Sequence, residues 1–434
     1  MSTRKTDSAS SPRRTRHANP PTGGLPWADG AAIATDLRGA SRLVIDAISG
    51  VTGIVEDMHR NIAGRSPVVG EAPTGGARGV SGFVYRTVRG VTRAVGFGID
   101  ASLAPVAPLL RAVFGDAPDS AASSPRREAV IAALNGVWGD HLAETRNPLA
   151  VAMRLRHRGE ALVLDRESLA ARFDAPSRRL LVLVHGLCMN DLEWERDGHD
   201  HGAELARDLD YVPLYLHYNS GLHISANGRK FADVMESLLH AWPAPVDEIA
   251  VVGHSMGGLV ARSACHYAQA AGHEWPRRLR NLAFLGTPHQ GAPLERAGNW
   301  ADILVGLSPY TAPFTRLGKA RSDGIKDLRR GNLLDEDWRD HPESDTGDRR
   351  TAVPLPQGVR CFAVAATRNS GSPVKRRAGD GLVPVDSALG RHADPARRLA
   401  IPAGRQIVVH GVDHFGLLGD RRVSDRLRDW FAES

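Results

Sequence analysis

From about residue 147 to the end, the apolar positions fall into two alternating patterns. Short continuous apolar runs occur at Ala161–Leu164, Arg179–Val184, Val212–Tyr218, Ile249–Val252, Leu282–Leu285, Val359–Ala366 and Gln406–Val409. Each has strand length and is rich in Val, Leu and Ile, as expected of strands buried on both faces. Between them lie stretches with apolar residues every three or four positions: Ala203–Leu209, Phe231–Trp242, Leu259–Ala271 and Arg422–Phe431. Strands alternating with helices predict a doubly wound, mostly parallel α/β sheet covered on both faces. The alternation lapses between Gly291 and about Pro356, where Trp300, Leu304, Leu307, Tyr310, Phe314 and Leu317 are scattered through irregular sequence. So long an insertion, at about 292–356, predicts a cap or lid.

The first third has only the helical period. Ile33, Leu37, Ala40, Val44, Ile48, Val51, Val55, Met58 and Ile62 make one stripe; Val80, Val84, Val88, Val91, Val95, Ile99, Leu103 and Val106 make another. Gly50-Val51-Thr52 matches Gly90-Val91-Thr92 at an offset of 40, and Val44 and Val55 match Val84 and Val95, which suggests a degenerate repeat forming a helical hairpin. A further helix is expected over Glu128–His141. Residues 1–28, rich in Ser, Pro, Arg and Gly, are expected to be disordered. The expected organisation is thus a basic tail (1–28), a helical region (29–146) and an α/β domain (147–434).

Composition narrows the class. With 434 residues, 42% hydrophobic and 24% charged, the chain has the profile of a soluble globular protein. The net charge of +6 is mild, and neither zinc-finger spacing nor an interleaved aromatic–basic motif is present, so nucleic acid is not an expected partner. Three dispersed cysteines (Cys188, Cys265, Cys361) predict neither a disulfide framework nor a metal site. The opening Met1-Ser2-Thr3-Arg4-Lys5 leads into polar sequence without the apolar core of a secretory signal, and no apolar run is long enough to span a bilayer, so a cytoplasmic location is expected. The second N-terminal stripe carries Arg86, Arg89 and Arg93 on its polar side. Packing on the rest of the protein is the expected state of residues 30–110, with peripheral contact to a lipid surface as the alternative.

One stretch changes the picture from fold to chemistry. Ala250-Val251-Val252-Gly253-His254-Ser255-Met256-Gly257-Gly258 reads as strand, tight turn and helix, with the spacing Gly253-x-Ser255-x-Gly257. A serine on so sharp a turn stands clear of the sheet. The glycines two positions before and after it avoid collisions across the turn, and the helix start turns N–H groups toward it. A nucleophilic serine needs a base and a group to orient that base. In the order Ser…Asp…His, the loops after the last two predicted strands supply Asp380 (Gly379-Asp380-Gly381) and His414 (Asp413-His414-Phe415). Asp386 and Asp413 compete for the acid. His410 competes for the base, although at a strand end it reads as a packed, hydrogen-bonded residue. The oxyanion donors expected from geometry are the N–H of Met256, directly after the serine, and that of Leu187, in the His185-Gly186-Leu187 turn after an earlier strand.

Taken together, Val184-His185-Gly186-Leu187, Gly253-His254-Ser255-Met256-Gly257-Gly258, Gly286-Thr287-Pro288-His289-Gln290-Gly291, Gly379-Asp380-Gly381-Leu382-Val383-Pro384 and Asp413-His414-Phe415 resemble the α/β-hydrolase superfamily, most nearly its bacterial lipases and esterases and the PGAP1-like group. Tyr218-Asn219-Ser220-Gly221 and Asn227-Gly228 share that likeness. The resemblance covers about residues 160–434. It implies hydrolysis of carboxylic esters, with lipid or other apolar acyl esters as substrates, without a metal or organic cofactor. The same residues would serve an acyltransferase, thioesterase or amidase. A non-catalytic lipid-surface module is the reading of a different class.

Overall fold

The computed structural model describes residues 35, 38, 39, 42, 125–292, 322–339, 348–369 and 379–433. The expected disordered tail, both N-terminal apolar stripes and most of the expected cap lie outside the described residues.

Among the described residues, eight strands form one sheet: β1 (Arg154–His157), β2 (Glu160–Ala161), β3 (Arg179–Val184), β4 (Tyr211–His217), β5 (Glu248–His254), β6 (Leu279–Leu285), β7 (Arg360–Thr367) and β8 (Gln406–His410). Their order is β2-β1-β4-β3-β5-β6-β7-β8. The β1 strand pairs antiparallel with both of its neighbours, and every pairing from β4 to β8 is parallel. With helices flanking the sheet, this is the α/β-hydrolase fold. The parallel strands are the continuous apolar runs of the sequence: Leu180–Val184, Ile249–Val252 and Leu282–Leu285 are almost wholly inaccessible to solvent. The sequence reading missed β1, because Arg154-Leu155-Arg156-His157 carries one apolar residue among three basic ones. The expected strand Ala161–Leu164 shrinks to the two residues of β2.

Register determines where the chemistry can lie. Val184 pairs with Gly253, Gly253 with Phe284, and Leu285 with Val364. The carboxyl ends of β3, β5 and β6 therefore finish within a residue of one another, β7 runs three residues further to end level with β8 at Thr367 and His410, and the loops that follow share one edge of the sheet, where open α/β sheets bind ligands.

Helix α1 (Pro125–Glu144) includes the expected Glu128–His141 and bends at Trp138, whose backbone is not helical. Its Ala133 and Val137 join the same apolar core as the sheet strands. The Asn135 side chain donates to Leu149 O and accepts from Val151 N. Arg156 on β1 donates to Glu128 on α1 and to Asp191 (3.2 and 2.9 Å), an ion network buried on all sides. Beyond it follow α2 (Arg166–Arg172), α3 (His201–Leu209), α4 (Ile224–Ala241), α5 (Met256–Ala271), α6 (Asp323–Arg330), the short α7 (Val385–Ala388) and α8 (Arg421–Ala432). None of the described helices is long and apolar enough to cross a membrane.

Candidate active site

The turn between β5 and α5 has the geometry its glycines imply. Ser255 has φ 53° and ψ −124°, a region that costs a non-glycine residue about 1–3 kcal/mol and persists only where its surroundings enforce it. The enforcement is visible. Ser255 N donates to Leu285 O at 2.8 Å, and Gly258 N donates back to Ser255 O at 3.1 Å. A Cβ on Gly253 would lie 2.6 Å from the Gly258 backbone, and one on Gly257 would lie 2.1 Å from Val184 O. Only glycine lets α5 approach β3 this closely. Ser255 keeps 8% exposure at the surface of an otherwise closed turn.

Asp380 and His414 meet across two loops. His414 Nδ1 donates to Asp380 Oδ2 at 2.7 Å. The other carboxylate oxygen accepts from Leu382 N and Val383 N (2.9 and 2.8 Å), which pins the acid. Both residues are buried. The imidazole lies against Gly286, where a Cβ would come within 3.2 Å of its Cε1 and Nδ1. Gly286 also has φ 59°, so glycine is required there twice over. Among the described residues no hydrogen bond joins Ser255 Oγ to His414; such contacts commonly tighten only when substrate binds. The competing groups point elsewhere. Asp386 is exposed beside Arg391. Asp413 is exposed and caps Gly416 N. His410, expected to be packed, is instead exposed at the end of β8.

The loop after β3 runs beside the serine. A Cβ on Gly186 would sit 3.1 Å from Ser255 Cβ. Among the described residues, neither the Leu187 N–H nor the Met256 N–H has a hydrogen-bond acceptor, and Met256 opens a helix, where amides lack intrahelical partners. His185 does not face the chemistry. Its ring stacks on Tyr218, its Nδ1 bonds Gly186 O, and burial pushes its pKa down to about 3, so it is a neutral structural residue. Cys188 is the next candidate nucleophile by position, but burial raises its thiol pKa and keeps it protonated.

The sequence singled out Tyr218, Asn219, Ser220 and Asn227 by likeness alone, without their role of bracing this loop. Tyr218 OH donates to His185 O (2.8 Å), Cys188 N donates to Ser220 Oγ (3.0 Å), and Asn219 Nδ2 donates to Gly139 O on α1 (2.8 Å). Asn227 holds Asn219 O in turn. The Tyr-Asn-Ser-Gly and Asn-Gly motifs thus form a scaffold under the loop, a role that their letters alone do not reveal. Sequence reasoning missed His254, whose Nε2 donates to His414 O at 3.1 Å. Burial, followed by the neighbouring His414, holds the His254 pKa well below its ordinary value. Among the described residues no group of three or more His, Cys, Asp or Glu side chains is placed to hold a metal ion.

Residues 129–323 match a family model described as a domain of unknown function, DUF7379. No curated protein matches the chain. Solved structures with a similar course include an esterase from Pyrobaculum calidifontis (14% identity, 58% of this chain and 75% of that one, TM-score 0.36). Another is an esterase from the thermophile Thermogutta terrifontis (14% identity, 65% and 93%, TM-score 0.33). A third is the phospholipase PlaB from Legionella pneumophila (16% identity, 48% and 43%, TM-score 0.31), of which this chain spans less than half.

Proposed function

We propose that the protein is a serine hydrolase of carboxylic esters, acting on lipid or other apolar acyl esters through an acyl-enzyme. The observation that carries the proposal is the buried 2.7 Å bond from His414 Nδ1 to Asp380 Oδ2, in the same layer of loops as a serine held at positive φ. Because Asp380 accepts at Nδ1, the imidazole lone pair is on Nε2. That nitrogen takes the proton as Ser255 Oγ attacks the ester carbonyl. Asp380 orients the ring and stabilises the imidazolium. The N–H groups of Leu187 and Met256 receive the oxyanion, helped by the positive end of α5. His414 then returns the proton to the leaving alcohol, and water, deprotonated by the same nitrogen, releases the acid. No cofactor enters these steps.

Within the α/β-hydrolases we place the protein nearest the lipases, esterases and PGAP1-like group. We assign 147–434 to the catalytic domain with a cap at about 292–356, and 29–146 to a helical region that packs on it, with lipid-surface contact through 30–110 as the alternative. A panel of p-nitrophenyl esters of rising chain length tests the activity, with Ser255→Ala as the control. Turnover that survives Ser255→Ala, or none with any ester, overturns it. Salt-sensitive binding of the full chain to anionic vesicles tests the lipid contact, and its absence at low salt removes that alternative.

A further inference from the structure

Besides His254, a second buried imidazole from outside the triad holds the loop that carries His414. That loop runs from His414 through Phe415 into one turn of 3₁₀ helix, Gly416–Leu418. His201, the first residue of α3, is inaccessible to solvent, and its Nε2 bonds Leu417 O at 2.9 Å. Among the described residues no backbone N–H donates to that carbonyl, so the imidazole is what satisfies a buried acceptor.

Leu417 matters to the site through its packing. A Cβ on Gly286 would lie 3.0 Å from Leu417 Cδ1 and 3.2 Å from both Cε1 and Nδ1 of His414. The Leu417 side chain and the His414 ring therefore rest against the same glycine. In a close-packed interior a displaced group displaces its neighbours. Where the Leu417 backbone is held thus sets the wall beside the imidazole.

The hydrogen-bond chain behind His201 has a definite direction. A carbonyl only accepts, so His201 carries its proton on Nε2. Burial pushes its pKa down to about 4, so the ring is neutral and Nδ1 is an acceptor. His199 Nε2 lies 3.0 Å from that nitrogen and donates to it. On its other side His199 Nδ1 stands 3.3 Å from Glu204 Oε1, and Glu204 Oε2 accepts from Ser424 Oγ on α8. Both imidazoles are fixed by their own backbones. Asp200 caps α3 at Ala203 N and accepts from the Tyr215 hydroxyl, both at 2.8 Å. Arg196 and His199 exchange two backbone hydrogen bonds (2.8 and 3.0 Å) around Asp197 and Gly198, which are both at positive φ. An apolar pair could fill this space, but it would leave Leu417 O unpaired.

We propose that His201 is a positioning residue for the general base. It anchors Leu417 O, so that the Gly416–Leu418 turn keeps the His414 ring aligned with Asp380. His199 keeps His201 in the tautomer that donates. The inference rests on the proposed hydrolase reading for its effect on turnover, and on the Asp380–His414 bond alone for its effect on the ring.

The test compares the full chain with His201→Leu, His201→Gln and His199→Leu, each checked for folding by thermal melting. The first readout is the downfield proton resonance of His414 Nδ1–H, expected from its 2.7 Å bond to Asp380 and identified by its loss in His414→Ala. The second is the division of the effect between kcat and KM for a p-nitrophenyl ester. In His201→Leu the resonance should move upfield or broaden, and kcat should fall on the order of tenfold with KM little changed. His201→Gln, whose amide can still donate to Leu417 O, should restore most of both. His199→Leu should move both in the same direction by less, and it decides the matter if His201→Leu does not fold. A folded His201→Leu with resonance and kcat unchanged, a loss confined to KM, or an equal loss in His201→Gln overturns the proposal. An unmodified chain that shows the resonance but turns over no ester ends the hydrolase reading, while the resonance in the variants still decides the anchoring.

Discussion

His254 and His414, 160 residues apart in sequence, are joined by a hydrogen bond from the ring of one to the backbone carbonyl of the other at 3.1 Å. The side chain that precedes the serine thus holds the main chain of the histidine that would activate it. Their rings are 4.8 Å apart, centroid to centroid. His254→Ala removes the donor and leaves the His414 carbonyl buried without it. Such a loss amounts to about 1–3 kcal/mol, so kcat should fall on the order of tenfold or more with KM little changed. An effect confined to KM would assign His254 to substrate binding instead.

The assignment of the triad makes a contrast between neighbours. Ser255→Ala and His414→Ala should fold and lose ester turnover by several orders of magnitude, whereas His410→Ala, at an exposed position, should retain most of it. Asp380→Asn should lower kcat by about 10⁴ if it follows the triad template, while Asp386→Asn, beside Arg391 on the surface, should be mild. Fluorophosphonate labelling of Ser255 should require His414. Reversed rankings in either pair would move the base or the acid to the competitor.

Helix α1 presses on the loop that carries the Leu187 amide. A Cβ on Gly136 would lie 2.2 Å from Cys188 Sγ and 2.9 Å from Cys188 N. Gly136→Ala should therefore displace that loop and cost about 1–3 kcal/mol of stability, with a larger proportional loss of kcat than of substrate affinity. Gly404→Ala, where a Cβ meets nothing within 4 Å, should leave activity unchanged. A chain starting near Asn147 lacks α1 and uncovers the apolar surface under Ala133 and Val137, so it should aggregate or melt earlier. Full activity in Gly136→Ala would detach α1 from the site.

Stability should decline steeply in mild acid. Burial lowers the pKa of His185 to about 3 and of His201 to about 4, and holds those of His254 and His289 well below the ordinary 6.5. These residues are neutral in the native state and become protonated in the unfolded chain. The unfolded state therefore binds more protons below about pH 6.5, and the native state loses up to about 1.4 kcal/mol per histidine for each pH unit from there down toward the native pKa values. Denaturant midpoints should be level from pH 7 to 8 and drop from pH 6.5 to 5. A flat profile across that acid range would mean that these rings protonate in the folded protein.

What could be read from sequence alone were the features set by neighbours in the chain. The Val251-Val252-Gly253-His254-Ser255-Met256-Gly257 turn was legible because a backbone at positive φ between a strand and a helix demands glycine on either side, a requirement met within five residues. The parallel strands were legible because burial on both faces leaves unbroken apolar runs, and the strand-then-loop order pointed to Asp380 and His414 before their side chains could be seen to meet. Other features depend on residues far apart. Asp380 meets the imidazole while Asp386 and Asp413 turn outward, because β7 and β8 end level and the Leu382 and Val383 amides aim one carboxylate inward. β1 is a strand despite its basic residues because Glu128 and Asp191, contributed by other elements, neutralise Arg156. Helix α1 shares the core of the sheet because Gly136 and Gly139 let it approach Cys188 and Asn219, and no period in the sequence encodes that distance. Local patterns record what a residue's immediate backbone requires, whereas pairings between distant side chains exist only once the sheet has brought their loops to one edge.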